Sequence, residues 1–265
     1  MDEKILVGTS GWSYEDWVGV FYPENLDKNK FLNYYSRYFK TVEINFTYYR
    51  MPNKYILNAI ARNVPSNFVF TIKLFSSFTH QTTLPESYEV VPEKERDDFL
   101  VAIEPMKNKG MLETLLAQFP QSFHFSQKNL DYLLKLKRAF KDYILAVEFR
   151  HKSWYNKLIY EAFERENLCF VSVDEPDIPS LPPRDFIITG KVGYLRLHSR
   201  DKNKWYQGEK LRYDYLYSKE ELLEWIEKIK NKNFEKLYVY FNNCHNGQAV
   251  ENAKQFIELL TQIEY

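Results

Sequence analysis

Short runs rich in β-branched and aromatic residues return eight times along this chain, and that rhythm constrains its fold more than any other feature. The runs are ILVGTSG (5–11), TVEINFTY (41–48), FVFTIKLF (68–75), TLLAQF (114–119), ILAVEFR (144–150), CFVSVD (169–174), GYLRLHS (193–199) and KLYVYFNN (236–243). Most gaps between them carry apolar residues at helical spacing, as in NKFLNYYSRYF, NKYILNAIAR, SQKNLDYLLKLKRAF, SWYNKLIYEAFEREN, SKEELLEWIEKIK and GQAVENAKQFIELL. Ser126 reads as one N-cap, and Ser218 with Glu221 three residues on has the spacing of a capping box. Strands separated by helices must pair in parallel, because a parallel neighbour needs a crossover. The fold class is therefore α/β, and eight units in 265 residues predict one closed (β/α)8 barrel domain spanning residues 1–265. An open doubly wound sheet is the alternative, but the turn after the first run, GTSGWS, lacks the GxGxxG phosphate loop such sheets usually carry.

Three connections break the rhythm and predict long loops after strands 3, 6 and 7. SSFTHQTTLPESYEVVPEKERDD follows strand 3 and is long enough to cover a barrel mouth. EPDIPSLPPRDF follows strand 6 and is too rich in proline for a full helix. RDKNKWYQGEKLRYDYLY follows strand 7 and is both basic and aromatic.

Side chains alternate along a strand, so each run divides into two faces. Glu43 and Asn45 oppose Val42, Ile44 and Phe46; Thr71 and Lys73 oppose Phe70, Ile72 and Leu74; Glu148 and Arg150 oppose Val147 and Phe149. Ser172 and Asp174 oppose Val171 and Val173, Arg196 and His198 oppose Leu195 and Leu197, and Tyr240 and Asn242 oppose Val239 and Phe241. If the apolar set faces the helices, the polar set converges inside, near the C-terminal strand ends where barrel enzymes build their sites. Glu43, Glu148 and Asp174 would then meet Lys73, Arg150 and Arg196, with His198 beside them. One such pair is explained by a structural ion pair. Six charges together are not, since desolvating them brings no gain over a Val, Ile and Leu interior. The set predicts a pocket with Glu43, Glu148, Asp174 and His198 as its acid–base groups.

All five histidines, His80, His124, His151, His198 and His245, map to the same end of the predicted barrel. No HExxH or CxxC spacing occurs, so any metal site would be assembled across strands from Glu43, Glu148, Asp174 and His198. Aromatic residues crowd the same loops: Trp12, Tyr14, Trp17, Tyr48, Tyr49, Trp154, Trp205 and Tyr206. Trp17 reads as packing; Trp12 and Trp205 read as surfaces for stacking a sugar or base.

Several stretches together resemble the domain-of-unknown-function 72 family. They are GTSGWSYEDW (8–17), VEINFTYYRMP (42–52), FTIKLF (70–75), EFRHKSW (148–154), YLRLHSR (194–200) and FNNCHNGQAVENA (241–253). The resemblance runs from the first strand to the last helix and implies a TIM-like barrel in one domain; it supplies no reaction. Matching positions are Trp12, Tyr14, Glu43, Asn45, Tyr49, Arg50, Lys73, Glu148, Arg150, Trp154, Arg196, His198, Asn242 and Asn243. Ser199 stands where the strand-seven motif leads one to expect Gly, and Cys244 and His245 fall in a variable part of the last motif.

The functional expectation is an enzyme with hydrolase-type acid–base chemistry on a phosphate-bearing substrate, such as a nucleotide, a nucleic acid or a phosphosugar. Arg50, Lys73, Arg150 and Arg196 would hold the anion, because guanidinium forks match phosphate oxygens. Trp12, Tyr14, Asn45, Tyr49, His80, His151, Trp154, Trp205, Asn242 and Asn243 would complete the binding surface. One alternative is a metal-dependent sugar isomerase or lyase, or a glycoside-processing enzyme. Another is a non-catalytic nucleic-acid-binding module using the loop after strand 7. A net charge of +0 gives no global field toward nucleic acid or membrane. Two cysteines make no disulfide framework, and no run is long enough to span a bilayer, so a cytoplasmic protein is expected.

Overall fold

In the computed structural model, which describes residues 4–80 and 90–262, eight parallel strands follow one another around a barrel. They are β1 (Ile5–Thr9), β2 (Thr41–Ile44), β3 (Val69–Lys73), β4 (Leu112–Gln118), β5 (Ile144–Glu148), β6 (Cys169–Asp174), β7 (Val192–Leu197) and β8 (Lys236–Phe241). Each pairs with its successor from β2 to β8, and β8 pairs with β1, as a closed α/β barrel requires.

Helices α1 (Phe31–Tyr35), α2 (Phe46–Tyr49), α3 (Lys54–Arg62), α4 (Glu93–Asn108), α5 (Gln127–Ala139), α6 (Lys157–Arg165), α7 (Glu209–Arg212), α8 (Lys219–Lys230) and α9 (Gln248–Gln262) occupy the connections. Ser126 caps α5 through the Asn129 amide, and Ser218 and Glu221 close a reciprocal capping box on α8. No helix forms between β6 and β7, as the prolines predict. Part of the predicted loop after β3, residues 81–89, lies outside the described residues. None of the described helices is long and apolar enough to cross a membrane.

The second run is shorter as a strand than its composition predicts. β2 stops at Ile44, and the chain turns at once into α2, where the Arg50 amide donates to the Phe46 carbonyl. Tyr48 therefore sits on a helix above the barrel rather than on its wall.

Outward strand residues such as Val42, Ile72, Val147, Leu195 and Val239 pack against the helices. Inside, Leu6, Leu116, Ala146, Cys169, Val171, Val173, Tyr194, Tyr238 and Tyr240 form a second apolar cluster. This is the packed interior of a small barrel, and it floors whatever lies at the C-terminal strand ends.

The β1–β2 seam is the thinnest join, a single parallel bridge between Ser10 and Glu43. A side chain reinforces it: the Tyr35 hydroxyl accepts from the Thr9 amide at 2.9 Å and donates to the Thr41 carbonyl at 3.1 Å. Thr41 Oγ1 also meets the Tyr240 hydroxyl at 2.5 Å. The approach depends on Gly8, where an added Cβ would stand 2.3 Å from the Thr41 carbonyl oxygen. Gly8→Ala is accordingly expected to cost about 2 kcal/mol or more, because backbone rather than a pliant side chain must shift. Thermal denaturation checks this; an unchanged midpoint would show that the seam is loose.

Candidate functional site

Arg196 stands at the centre of the upper barrel, inward on β7 and only 2 % exposed. Its Nη1 donates to Glu148 Oε2 at 2.5 Å; its Nη2 donates to Glu43 Oε1 at 2.7 Å and reaches Ser10 Oγ at 3.3 Å. Glu43 also accepts from the Tyr194 hydroxyl at 2.6 Å, so the apolar floor ends in a phenol aimed at this carboxylate. Arg150, inward just past β5, continues the chain of charge. Its Nε lies 2.6 Å from Glu148 Oε1, and its Nη1 donates to Glu175 Oε1 at 2.6 Å. Four strands thus contribute to one line of alternating charge, Glu43–Arg196–Glu148–Arg150–Glu175.

Burial would raise the Glu148 carboxyl, but Arg150 and Arg196 outweigh it and hold it well below the usual carboxylate range. Glu175 shows the opposite balance. Burial lifts it to about 7 against the pull of Arg150, with Glu148 adding repulsion. His198 is sealed from solvent; burial and then the Arg150 charge push it well below its ordinary value, so the ring is neutral. Asn242 Nδ2 lies 3.0 Å from His198 Nδ1, and with the amide donating there the ring proton sits on Nε2, 3.5 Å from Glu148 Oε1.

Above this layer opens a cavity of about 580 Å³. Tyr14, Asn45, Tyr49, Lys73, His80, Arg150, Arg196, Trp205 and Asn242 line it, as the sequence leads one to expect, together with Tyr48, Gln118, Tyr206, Arg212 and Tyr213. Lys73 Nζ donates to Gln118 Oε1 at 2.7 Å and lies 4.3 Å above the Tyr48 ring. Burial, then the charge of Arg196, drive this amine down to about 7 against the pull of Glu148 and Glu43. His80 is pushed to about 4 by burial and by Lys73 and Arg150. Arg212, on α7, donates Nε to the Trp205 carbonyl at 2.8 Å, and its guanidinium and that of Arg150 lie 5.3 and 5.8 Å from the Trp205 ring.

Several predicted members belong elsewhere. Asp174 faces outward: it accepts from the Trp225 indole of α8 and from Arg200 Nε and Nη2, the latter at 2.8 Å. The reason is strand parity. Ala146 pairs with Cys169, and Cys169, Val171 and Val173 all face inward, so the next inward carboxylate is Glu175. Trp154 is core, stacked 4.1 Å from Phe149 with its indole donating to the Phe123 carbonyl. Asn243 spends its amide on the Tyr215 carbonyl and Asn252, tying the end of β8 to α9. His151 stacks on His124 at 3.9 Å and bonds Ser153, outside the cavity wall. Arg50 is exposed at the end of α2, and Trp12 packs half-buried against the core; neither lines the cavity.

To the charged set the structure adds Glu175 and Arg212, which face-splitting missed. Glu175 was findable by counting inward positions on from Val171 and Val173. Arg212 carries no such signal, because loop geometry rather than strand alternation turns it inward. Glu148, Glu175 and His198 offer candidate metal-ligand atoms within 4.8 Å of one another. Arg150 already bridges the two carboxylates, so a metal ion there would have to displace a guanidinium.

The comparisons with known proteins agree with this architecture. A family model described as "Protein of unknown function DUF72" matches residues 6–264. UPF0759 protein YunF of Bacillus subtilis (strain 168) is 29% identical over 277 residues, spanning 98% of this chain and 96% of that protein. A DUF72 family crystal structure from Thermotoga maritima MSB8 superposes with TM-score 0.89 at 42% identity, covering 97% of this chain and 99% of that one. Another, from Enterococcus faecalis V583, gives TM-score 0.86 at 27% identity, covering 98% and 96%. A xylose isomerase domain containing protein from Salmonella typhimurium LT2 shares the barrel alone, with TM-score 0.52 at 12% identity over 99% of this chain and 98% of that one.

Removing the central guanidinium leaves two carboxylates buried together. Arg196→Met is expected to cost about 3–5 kcal/mol, and the triple variant with Glu43→Gln and Glu148→Gln should recover part of that loss. Urea denaturation at neutral pH measures both; a small effect of the single variant would show that the two carboxylates do not depend on Arg196.

Proposed function

The chain belongs to the DUF72 family of proteins of unknown function, and for this member we propose that the barrel mouth is an active site for a small substrate carrying a phosphate group. One observation carries the reading. Lys73 and Arg212 line a single cavity, and neither forms an ion pair among the described residues. Arg150 adds a third donor, since Nε and Nη1 meet carboxylates while Nη2 meets none among the described residues. Arg196 is excluded from this role because Glu43 and Glu148 occupy it, so it holds the frame rather than the ligand. The carboxylates below are thus matched, and the guanidiniums of Arg150 and Arg212 are left for an anion that the substrate brings, with Lys73 beside them as an amine that is uncharged above about pH 7.

The cavity volume suits a small molecule rather than a duplex. The basic loop after β7 also leaves little for a nucleic-acid backbone. Arg200 meets Asp174 and Glu224, Lys202 meets Asp177, Lys204 meets Asp214, and Arg212 turns into the cavity. A glycosidase mechanism needs two carboxyls free to trade a proton and attack, and Arg196 clamps Glu43 and Glu148.

Among groups that line the cavity, Lys73 is placed to move a proton near neutral pH. Hydrolysis is the reaction to assay first, with neutral Lys73 taking a proton from water as it attacks. The base form exists above the Lys73 pKa, so kcat/KM should rise as pH climbs through about 7. Lys73→Met should lower kcat by roughly 10²–10⁴-fold. Arg212→Ala should instead weaken inorganic phosphate binding about tenfold, the scale of one charge-assisted contact. A panel of phosphate esters and titration calorimetry provide both readouts; a wild-type cavity indifferent to phosphate sinks the reading.

A further inference from the structure

We propose that Lys73 is a covalent nucleophile whose amine condenses with the carbonyl carbon of a phosphate-bearing aldehyde or ketone seated in the barrel mouth. This deepens the anion-binding reading and rests on it, because the phosphate end is what brings the carbonyl to the lysine.

The surroundings of Lys73 distinguish it from a lysine that merely pairs with a ligand. It sits at the C-terminal end of β3 and lines the cavity. The carboxylates nearest in charge, Glu43 and Glu148, are both engaged by Arg196, and Glu148 by Arg150 as well. The amine is left with a neutral acceptor, Gln118 Oε1 at 2.7 Å, and the face of Tyr48. The Tyr48 face favours the ammonium modestly; burial and the neighbouring guanidiniums outweigh it and bring the group to about 7. A desolvated lysine beside other cations is the arrangement that keeps an amine uncharged and nucleophilic in water near neutral pH. Gln118 fixes its direction: its Nε2 donates to the Phe119 carbonyl at 2.7 Å, which leaves Oε1 turned toward Lys73.

The step balances without a further reagent. The Nζ lone pair forms the C–N bond as the carbonyl π pair moves to oxygen. The carbinolamine then loses its oxygen as water, which carries away both amine protons, leaving C=N to Lys73. Protonation of that imine makes it an electron sink for cleavage or proton loss at the adjacent carbon.

The test traps the imine in the full chain. Wild-type protein at pH 7 is incubated with glycolaldehyde phosphate and sodium cyanoborohydride, and modified lysines are mapped by peptide mass spectrometry. Lys73 is expected to label at least tenfold faster than any other lysine, to be slowed by inorganic phosphate, and to lose this preference with unphosphorylated glycolaldehyde. Lys73→Met should abolish the preferred label while the protein keeps a cooperative melting transition. If that variant fails to fold, competitive acetylation of the wild type across pH replaces it, with a Lys73 midpoint near 7 expected. A midpoint near the ordinary ~10.4, or labelling that simply follows exposure, overturns the proposal. Phosphate binding by calorimetry separates the two readings. Binding without preferential labelling defeats the imine alone. Absence of binding defeats the anion seat, and preferential labelling by the neutral aldehyde would then overturn the phosphorylated substrate class as well.

Discussion

Arg196 is the point on which the upper half of this barrel hangs. A guanidinium buried at the axis costs several kcal/mol unless its charge is met in place, and here two carboxylates from distant strands meet it. Glu43 comes from β2 and Glu148 from β5, so the arrangement exists only if the sheet closes at its correct register. The same guanidinium decides the roles of its neighbours. Together with Arg150 it fixes Glu148 as an anion, and Glu148 in turn pairs with Arg150. Arg150 then reaches Glu175, a carboxyl that burial raises to about 7.

The cavity inherits its character from what that line does not neutralise. Glu43, Glu148, Arg150 and Arg196 balance one another below, whereas Lys73 and Arg212 stand above without carboxylate contact among the described residues. Trp205 links the two levels, since the guanidiniums of Arg150 below and Arg212 above both lie over its ring. At the rim, Tyr49 and Tyr206 remain 70% and 58% exposed, giving the polar floor an aromatic entrance.

Much of this was written in strand periodicity. Glu43, Lys73, Glu148, Arg196 and His198 all alternate with apolar residues that must face helices, and all five point inward. Periodicity failed where both faces of a strand are apolar. In CFVSVD, Phe170 and Val171 are equally buried, so the pattern cannot say which is inside; the pairing of Ala146 with Cys169 decides it and sends Asp174 outward. Aromatic content misled in a similar way, because Trp154 and a binding-site tryptophan have the same composition and differ only in what stacks on them. Arg212 was invisible for a further reason: a four-residue helix inside a long connection is too short to show a period. The family motifs marked Trp154 and Asn243 alongside Glu148 and Arg196, since motif likeness does not separate residues that build a pocket from residues that face it.

The thin seam between β1 and β2 gives the chain a direction in time. β1 finds its full ladder only on β8, the last strand to leave the ribosome, and Glu43 meets an arginine 153 residues downstream. A nascent chain that stops short of β7 carries Glu43 and Glu148 with no Arg196 to face them. Its half-made sheet also keeps two open edges. Truncated products of this sequence are therefore not smaller barrels but unfinished ones, and the ring of charge forms together with the closing of the sheet.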